Sequence, residues 1–271
     1  MSRQYQKNEF YAIVSSMFTK GQANIIKSLH DKKDRQKTGL FLVEGEKSVV
    51  ETINSNFEII TILVTKPFYT KYQKIIKDKK IECEIVEPGE IEKVSTMETN
   101  DSALAIVKQK TETDLNNKIS DNEIVLALDN IRDPGNFGTI IRIADWYGIK
   151  KIIASIGTVD LYNPKVISAT KGSFTRVNVF YADLGEYLAK VKAPILGAFM
   201  EGVNAHKFTF PKNGVLVMGN ESNGITPEIE KLVTQKVSIP SFGSTLNKNG
   251  QAESLNVAIA TAVLLDNWKR N

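Results

Sequence analysis

The chain has 271 residues, 42% hydrophobic and 24% charged, a globular composition large enough for two ordinary domains. Its formal net charge is only +4, from 35 basic and 31 acidic residues, so overall charge alone does not mark a nucleic-acid binder. The single cysteine, Cys83, excludes an intrachain disulfide and a cysteine-built metal cluster, and His30 and His206 alone leave little for a histidine-rich metal site. No apolar run approaches the roughly 18–20 residues of a membrane span, and the start, MSRQYQKNEFYAIVSSMF, is too polar for a signal-peptide core. The expectation is a soluble, cytoplasmic protein with no metal and no membrane partner.

Residues 1–40 hold eight Lys/Arg against three Asp/Glu. Asn24 to Gln36 reads as one charged helix, and Lys27, Lys32, Lys33, Arg35 and Lys37 make it either a solvated amphipathic face or a face for phosphates. A strand at Leu40–Val43 ends at Glu44-Gly45. A helix near Glu46–Ile53, a strand at Ile59–Val64, a helix after Pro67 and a strand at Glu82–Val86 follow. A helix around Gly89–Val94 and a strand at Ala103–Val107 complete an alternating α/β pattern. The polar stretch KQKTETDLNNKISDN, residues 108–122, reads as a linker or long loop. The predicted division is therefore residues 1–110, a linker at 111–121, and a second domain over 122–271. In that second set, strands are predicted at Ile124–Leu128, Lys151–Ala154, Ile195–Phe199, Gly214–Met218 and Lys236–Ile239. Helices are predicted after Pro134, near Asn163–Ala169, near Leu184–Val191, after Pro227, and from about Glu253 to Trp268, where Leu255, Ile259 and Val263 share a face.

Neither G-x-G-x-x-G after a strand nor G-x-x-x-x-G-K-[ST] occurs, which argues against a Rossmann dinucleotide site and a P-loop. Instead, three apolar strands each end in a turn rich in Gly, Asn or Ser. In LALDNIRDPGNFGTIIRIADWYG, residues 126–148, Asp133 suits an N-cap and Pro134 the first helical position. An ordinary strand-to-helix turn explains Asp-Pro-Gly, but not why Asn136 and Arg142 should both point back to the strand ends. In VLVMGNESNGI, residues 215–225, Met218 leads into Gly219-Asn220-Glu221-Ser222-Asn223-Gly224, whose glycines allow a ligand to approach the backbone. In IPSFGSTLNKNGQAESLNVAIATAVLL, residues 239–265, Ser254 is either a helix cap or a site residue.

Together these turns resemble the three motifs of the SpoU/TrmH family in the SPOUT superfamily: Asn136-Phe137-Gly138 with Arg142, Gly219-Asn220-Glu221 with Gly224, and Ile239-Pro240 with Ser254-Leu255-Asn256. DLYNPKVISATKGSFTRVNV, residues 160–179, resembles the family's connecting region, with Arg176 at a basic position and Lys171 facing RNA or solvent. FLVEGEK, residues 41–47, resembles the substrate-binding domain often fused ahead of these enzymes. The loop between Pro240 and Glu253 is a few residues longer than usual.

The resemblance implies an α/β fold throughout: a small N-terminal substrate-binding domain, then a SPOUT-type domain with a C-terminal trefoil knot, assembled as a homodimer. It implies S-adenosylmethionine as cofactor, transfer of its methyl group to a ribose 2′-hydroxyl, and RNA as partner, ribosomal rather than transfer RNA. Met218, Gly219, Asn220, Glu221, Gly224, Ile239, Pro240, Phe242, Ser254 and Leu255 would then hold the cofactor. Asn136, Arg142, Glu221, Ser254 and Asn256 would carry catalysis. Lys32, Lys33, Arg35, Lys37, Arg142 and Arg176 would contact RNA. Such an in-line displacement is served by alignment, and by a cation near the oxygen that gains negative charge. Arg142 is the candidate cation, and a guanidinium with a pKa above about 12 suits charge stabilisation better than proton removal. A non-catalytic RNA-binding or assembly protein that keeps the fold is the rival reading.

Overall fold

The computed structural model describes residues 20–110, 115–242 and 254–270. In chain order the elements are α1 (Lys20–Ser28), α2 (Lys32–Thr38), β1 (Leu40–Glu44), α3 (Glu46–Ile53), β2 (Ile59–Val64), α4 (Lys66–Asp78), β3 (Cys83–Ile85), α5 (Pro88–Glu92) and β4 (Ala103–Lys108). There follow β5 (Ile124–Leu128), α6 (Pro134–Trp146), β6 (Lys151–Ser155), α7 (Pro164–Thr170), a 3-10 turn at Ser173–Thr175, β7 (Asn178–Ala182) and α8 (Leu184–Ala189). The last are β8 (Ile195–Asn204), β9 (Gly214–Met218), α9 (Pro227–Glu230), β10 (Gln235–Ser238) and α10 (Val257–Arg270). Two compact units result. One comprises residues up to Thr111 with Asp160–Thr175, the other Glu112–Val159 with the residues from Arg176 onward.

The first unit is built on a sheet of order β1-β4-β2-β3, antiparallel except for the β2/β3 pair. Both faces are covered, so β1 reads as continuous apolar sequence from Leu40 to Val43, and all five of its residues, Glu44 included, are buried. Leu40 and Leu42 join Ile26 of α1 and Ile91 of α5 on one face. Phe41 and Val43 join Val49 and Ile53 of α3, Phe68 and Ile76 of α4, and Ile167 and Phe174 on the other. The Phe41 ring lies 4.5 Å from that of Tyr162 and 5.9 Å from that of Phe174. The segment 160–175 thus completes this core.

The single helix predicted from Asn24 to Gln36 is two helices. Asp31 interrupts it by turning extended (φ −87°, ψ 136°) and capping α2 through Lys33 N, 2.7 Å away. Gly39 closes α2 in the left-handed region at φ 71°. Arg35, read from sequence as a phosphate contact, is 1% exposed. Its guanidinium bonds Asp160 at 2.7 Å and the carbonyls of Leu29 and His30 at 3.0 and 2.8 Å, so it anchors the fold instead of facing RNA. Glu44, also buried, accepts bonds from Ser95 Oγ (2.6 Å), Thr96 N (2.8 Å) and Thr96 Oγ1.

The second unit is an all-parallel sheet of order β10-β8-β9-β5-β6-β7. β7 is a strand absent from the sequence reading, and β8 runs past Phe199 to Asn204. Although the stretch before β5 has no helix or strand among its described residues, Leu115 and Ile119 pack on the core that Val125, Ala127, Val215 and Val217 share. The final helix starts at Val257, capped by Asn256, whose Oδ1 accepts from Ala258 N at 2.9 Å. Its buried face is Val257, Ala258, Thr261, Leu264, Leu265 and Trp268, whereas Leu255 and Ile259 are about half exposed. Among the described residues no helix is long and apolar enough to cross a membrane.

Candidate active site

The chain lays β6 and β7 to one side of β5, then β9 and β8 to the other. Strand order therefore reverses between β5 and β9, and in open parallel sheets the crevice at the carboxyl ends of such strands receives ligands. Leu128 and Met218 pair at those ends, and the turns rich in Asn and Gly begin one residue later.

After β9, Gly219 is required by a close approach: a Cβ there would stand 2.2 Å from the carbonyl carbon of Gly224. Asn220 and Gly224 exchange two backbone hydrogen bonds of 2.9 Å, and Gly224 is left-handed at φ 69° with nothing within 4 Å of where a Cβ would be. Asn220 Oδ1 accepts from Ser222 N (3.0 Å) and Asn223 N (3.1 Å), which closes the turn on itself.

After β5, Asp133 caps α6 by accepting from Asn136 N at 2.7 Å, with Pro134 at the first helical position. The Asn136 side chain then links two other loops. Its Nδ2 donates to Glu221 Oε1 (3.1 Å), and its Oδ1 accepts from Asn256 Nδ2 (2.8 Å). Glu221 also accepts from Asn220 Nδ2 (3.2 Å) and from Asp133 N (3.4 Å). Residues more than eighty positions apart are thus joined in one polar chain, Asn256–Asn136–Glu221–Asn220.

That chain stands on two residues the sequence reading passed over. Asp129, 2% exposed, accepts Thr226 N on one carboxylate oxygen (2.7 Å) and Asn130 Nδ2 on the other (2.8 Å). Asn130 is left-handed at φ 57°. Its carbonyl accepts Asn220 Nδ2 at 2.7 Å, and its N–H donates to Ser155 Oγ at 2.9 Å. The signal was present in LALDN: an Asp directly after five apolar strand residues has to find buried donors.

The remaining predicted site residues stand differently. Arg142 lies six residues beyond Asn136 on α6, about 9 Å along the axis and about 240° around it. It is exposed and has no hydrogen bond or ion pair among the described residues. Glu221 is held by Asn136 and Asn220 instead of pairing with this guanidinium. Ser254 is exposed, and the capping role is taken by Asn256. Met218 is buried and its carbonyl accepts from Asp129 N (2.9 Å). Ile239 and Pro240, half-buried, follow β10, and Phe242, 87% exposed, stacks on His206. Gly243 lies outside the described residues. Lys32, Lys33 and Lys37 are exposed on α2, while Arg176 is engaged by Asp145 at 2.8 Å. Among the described residues no group of three or more His, Cys, Asp or Glu side chains is arranged to hold a metal ion.

A parallel sheet with polar, backbone-rich turns at its switch point defines an α/β protein of the class whose ligands are received at that edge. The family described as SpoU rRNA Methylase matches residues 123–266, and that described as MRM3-like substrate binding domain matches residues 22–105. The 23S rRNA (guanosine(2553)-2′-O)-methyltransferase RlmP of Bacillus subtilis is 31% identical over 245 residues, 88% of this chain and 92% of that protein. A structure from Porphyromonas gingivalis, described as an RNA methyltransferase of the TrmH family, superposes with a TM-score of 0.79 at 30% identity, covering 94% of this chain and 99% of that one. An AdoMet-bound rRNA methyltransferase from Sinorhizobium meliloti superposes with a TM-score of 0.80 at 27% identity, over 94% and 96% of the two chains. The chain belongs to the SpoU rRNA methylase family.

Proposed function

We propose that this chain transfers the methyl group of S-adenosylmethionine to a ribose 2′-hydroxyl in structured RNA, ribosomal RNA in particular. The observation that carries the reading is the Asn256–Asn136–Glu221–Asn220 chain, which ties the three family motifs into one constellation at the switch point. Relatives named as 23S rRNA 2′-O-methyltransferases point to the same substrate class.

The cofactor supplies an electrophilic methyl on a sulfonium. The crevice fits such a group: Gly224 offers open backbone, Asn220 and Glu221 rim it with polar atoms, and Leu255 presents a half-exposed apolar surface. In this reading Met218, Gly219, Asn220, Glu221, Gly224, Ile239, Pro240, Phe242, Ser254 and Leu255 hold the cofactor. Asn136 and Asn256, each fixed by the other, orient the hydroxyl, and Glu221 keeps Asn136 in its rotamer. Arg142, which has no hydrogen bond or ion pair among the described residues, is available to a phosphate and to the oxygen as it gains charge. The first unit, which matches a substrate-binding domain, binds the substrate RNA.

Three finer features belong to the same reading. The C-terminal half is knotted, the enzyme acts in the cytoplasm, and the chain works as a homodimer. Apolar surface supports the last: Trp146 on α6 is 84% exposed, and Leu255 just before α10 and Ile259 in its first turn are 49% and 52% exposed, α10 packing on α6. Incubation with tritium-labelled S-adenosylmethionine and ribosomal RNA, then nuclease mapping, tests the activity. A labelled 2′-O-methyl nucleoside is expected. Stoichiometric RNA binding without label in RNA would instead establish a non-catalytic assembly protein.

A further inference from the structure

We infer that RNA is gripped by the lysine row on α4, on the face of the first unit's sheet that also carries α3 and α7. The inference rests on the proposed activity on RNA and names the surface that the sequence reading had placed on α2.

Residues 66–80 contain six lysines and a single acid, Asp78. At 100° per residue, Phe68, Tyr69, Tyr72, Ile75 and Ile76 gather on the side of α4 that packs on the Phe41 core. Lys66, Lys71, Lys74 and Lys77 occupy the opposite arc, all exposed, and span about 16 Å at 1.5 Å per residue. Lys71 pairs with Glu46 at 2.7 Å. The side chains of Lys66, Lys74 and Lys77 have no hydrogen bond or ion pair among the described residues.

A merely solvated helix face commonly alternates signs, because opposite charges three or four residues apart stabilise it and like charges cost about 0.2–0.5 kcal/mol per pair. Here Lys71, Lys74 and Lys77 follow one another at like-charge spacing. Of the acids on the same face, Glu46 of α3 is taken by Lys71 and Glu51 lies against Gly172, while α5, with Glu87, Glu90 and Glu92, packs through Ile91 on the other core cluster. α7 packs its Ile167 on the α4 side and adds exposed Lys165 and Lys171. By contrast, Lys32, Lys33 and Lys37 on α2 are interleaved with Asp31 and Asp34, and Arg35 beside them is buried. A polyanion with regularly spaced phosphates complements the α4 row, and binding it releases counterions in proportion to the lysines engaged.

The test compares two variants that remove equal charge. Lys66→Gln/Lys74→Gln/Lys77→Gln leaves the Lys71–Glu46 pair intact, and Lys32→Gln/Lys33→Gln/Lys37→Gln is its counterpart on α2. Binding of a fluorescent ribosomal RNA fragment to the full chain is titrated from 50 to 300 mM KCl, with circular dichroism checking the fold and calorimetry checking S-adenosylmethionine binding. The α4 variant is expected to bind RNA at least tenfold more weakly and to lose about two to three in the slope of log K against log salt. The α2 variant should change less than threefold, and cofactor binding should hold in both. Equal losses in the two variants, or loss confined to the α2 variant, would overturn the assignment. If the unaltered chain does not bind the RNA, the assignment falls together with the proposed function; loss in the α4 variant alone supports both.

Discussion

Replacing Asp129 by Asn keeps the size of the side chain and removes what the site above it stands on. The carboxylate accepts one donor on each oxygen, Thr226 N at 2.7 Å and Asn130 Nδ2 at 2.8 Å, in a position 2% exposed. An amide can accept only one of these and turns its NH2 toward the other, so one buried donor faces another donor. A buried group left unpaired costs about 1–3 kcal/mol. The loss falls where Thr226 leaves the Gly219–Gly224 turn and where the Asn130 carbonyl holds Asn220. Asp129→Asn is therefore expected to lower the unfolding free energy by about 1–3 kcal/mol and to weaken S-adenosylmethionine binding by about tenfold, a further 1.4 kcal/mol. Urea denaturation and titration calorimetry on the same preparations measure the two effects separately. Unchanged affinity in a destabilised protein would show that Asp129 serves folding only, and unchanged values of both would refute the reasoning.

Asn136→Ala strands the Asn256 amide and a Glu221 oxygen, and is expected to lower kcat at least a hundredfold with a shift in Tm of only a few degrees, read by label transfer and calorimetry. Arg142→Ala is expected to abolish methyl transfer while cofactor affinity stays within threefold; full turnover would remove the charge-stabilising role. Arg35→Ala leaves Asp160 and two buried carbonyls without their donor and should cost about 3–5 kcal/mol in urea denaturation, with RNA affinity per folded molecule preserved. Tyr187 is buried, its hydroxyl has no hydrogen-bond partner among the described residues, and burial, then the Glu123 charge, pushes it up to about 12. The folded protein therefore keeps that proton while the unfolded chain releases it above its ordinary value near 10, so stability drains between those pH values. Tyr187→Phe should flatten that decline and leave stability at pH 7 equal or up to about 1 kcal/mol higher, by denaturation at pH 7, 10 and 11.

The strands were legible because each of β1, β4, β5 and β9 is a short apolar run closed by a turn signal, and burial on both faces leaves that pattern unmixed. Asp133-Pro134 announced α6 because its cap is local, one carboxylate reaching a backbone N–H three residues on. Asn136, Glu221 and Asn256 could be named through the motif resemblance, and their bonds to one another are properties of the folded chain. What stayed hidden depends on distant partners. Arg35 looks like any surface cation until Asp160, 125 positions later, makes its burial tolerable. Asp129 was passed over because one of its donors comes from Thr226, 97 positions later. Ile259 and Val263 share a face of α10, but Leu255 precedes the helix, and the face that α10 buries carries Leu264, Leu265 and Trp268.

The segment from Asp160 to Thr175 has a consequence for the order in which the protein can be made. Phe41 emerges from a ribosome early, yet its ring partners Tyr162 and Phe174 and the counter-ion of Arg35 follow more than a hundred residues later. At about 5–20 residues per second, the nascent N-terminal unit waits several seconds or more with an apolar face uncovered and a guanidinium unpaired. A fragment ending at residue 110 would keep every strand of its sheet and still expose that face, so such a fragment should aggregate where the intact polypeptide does not.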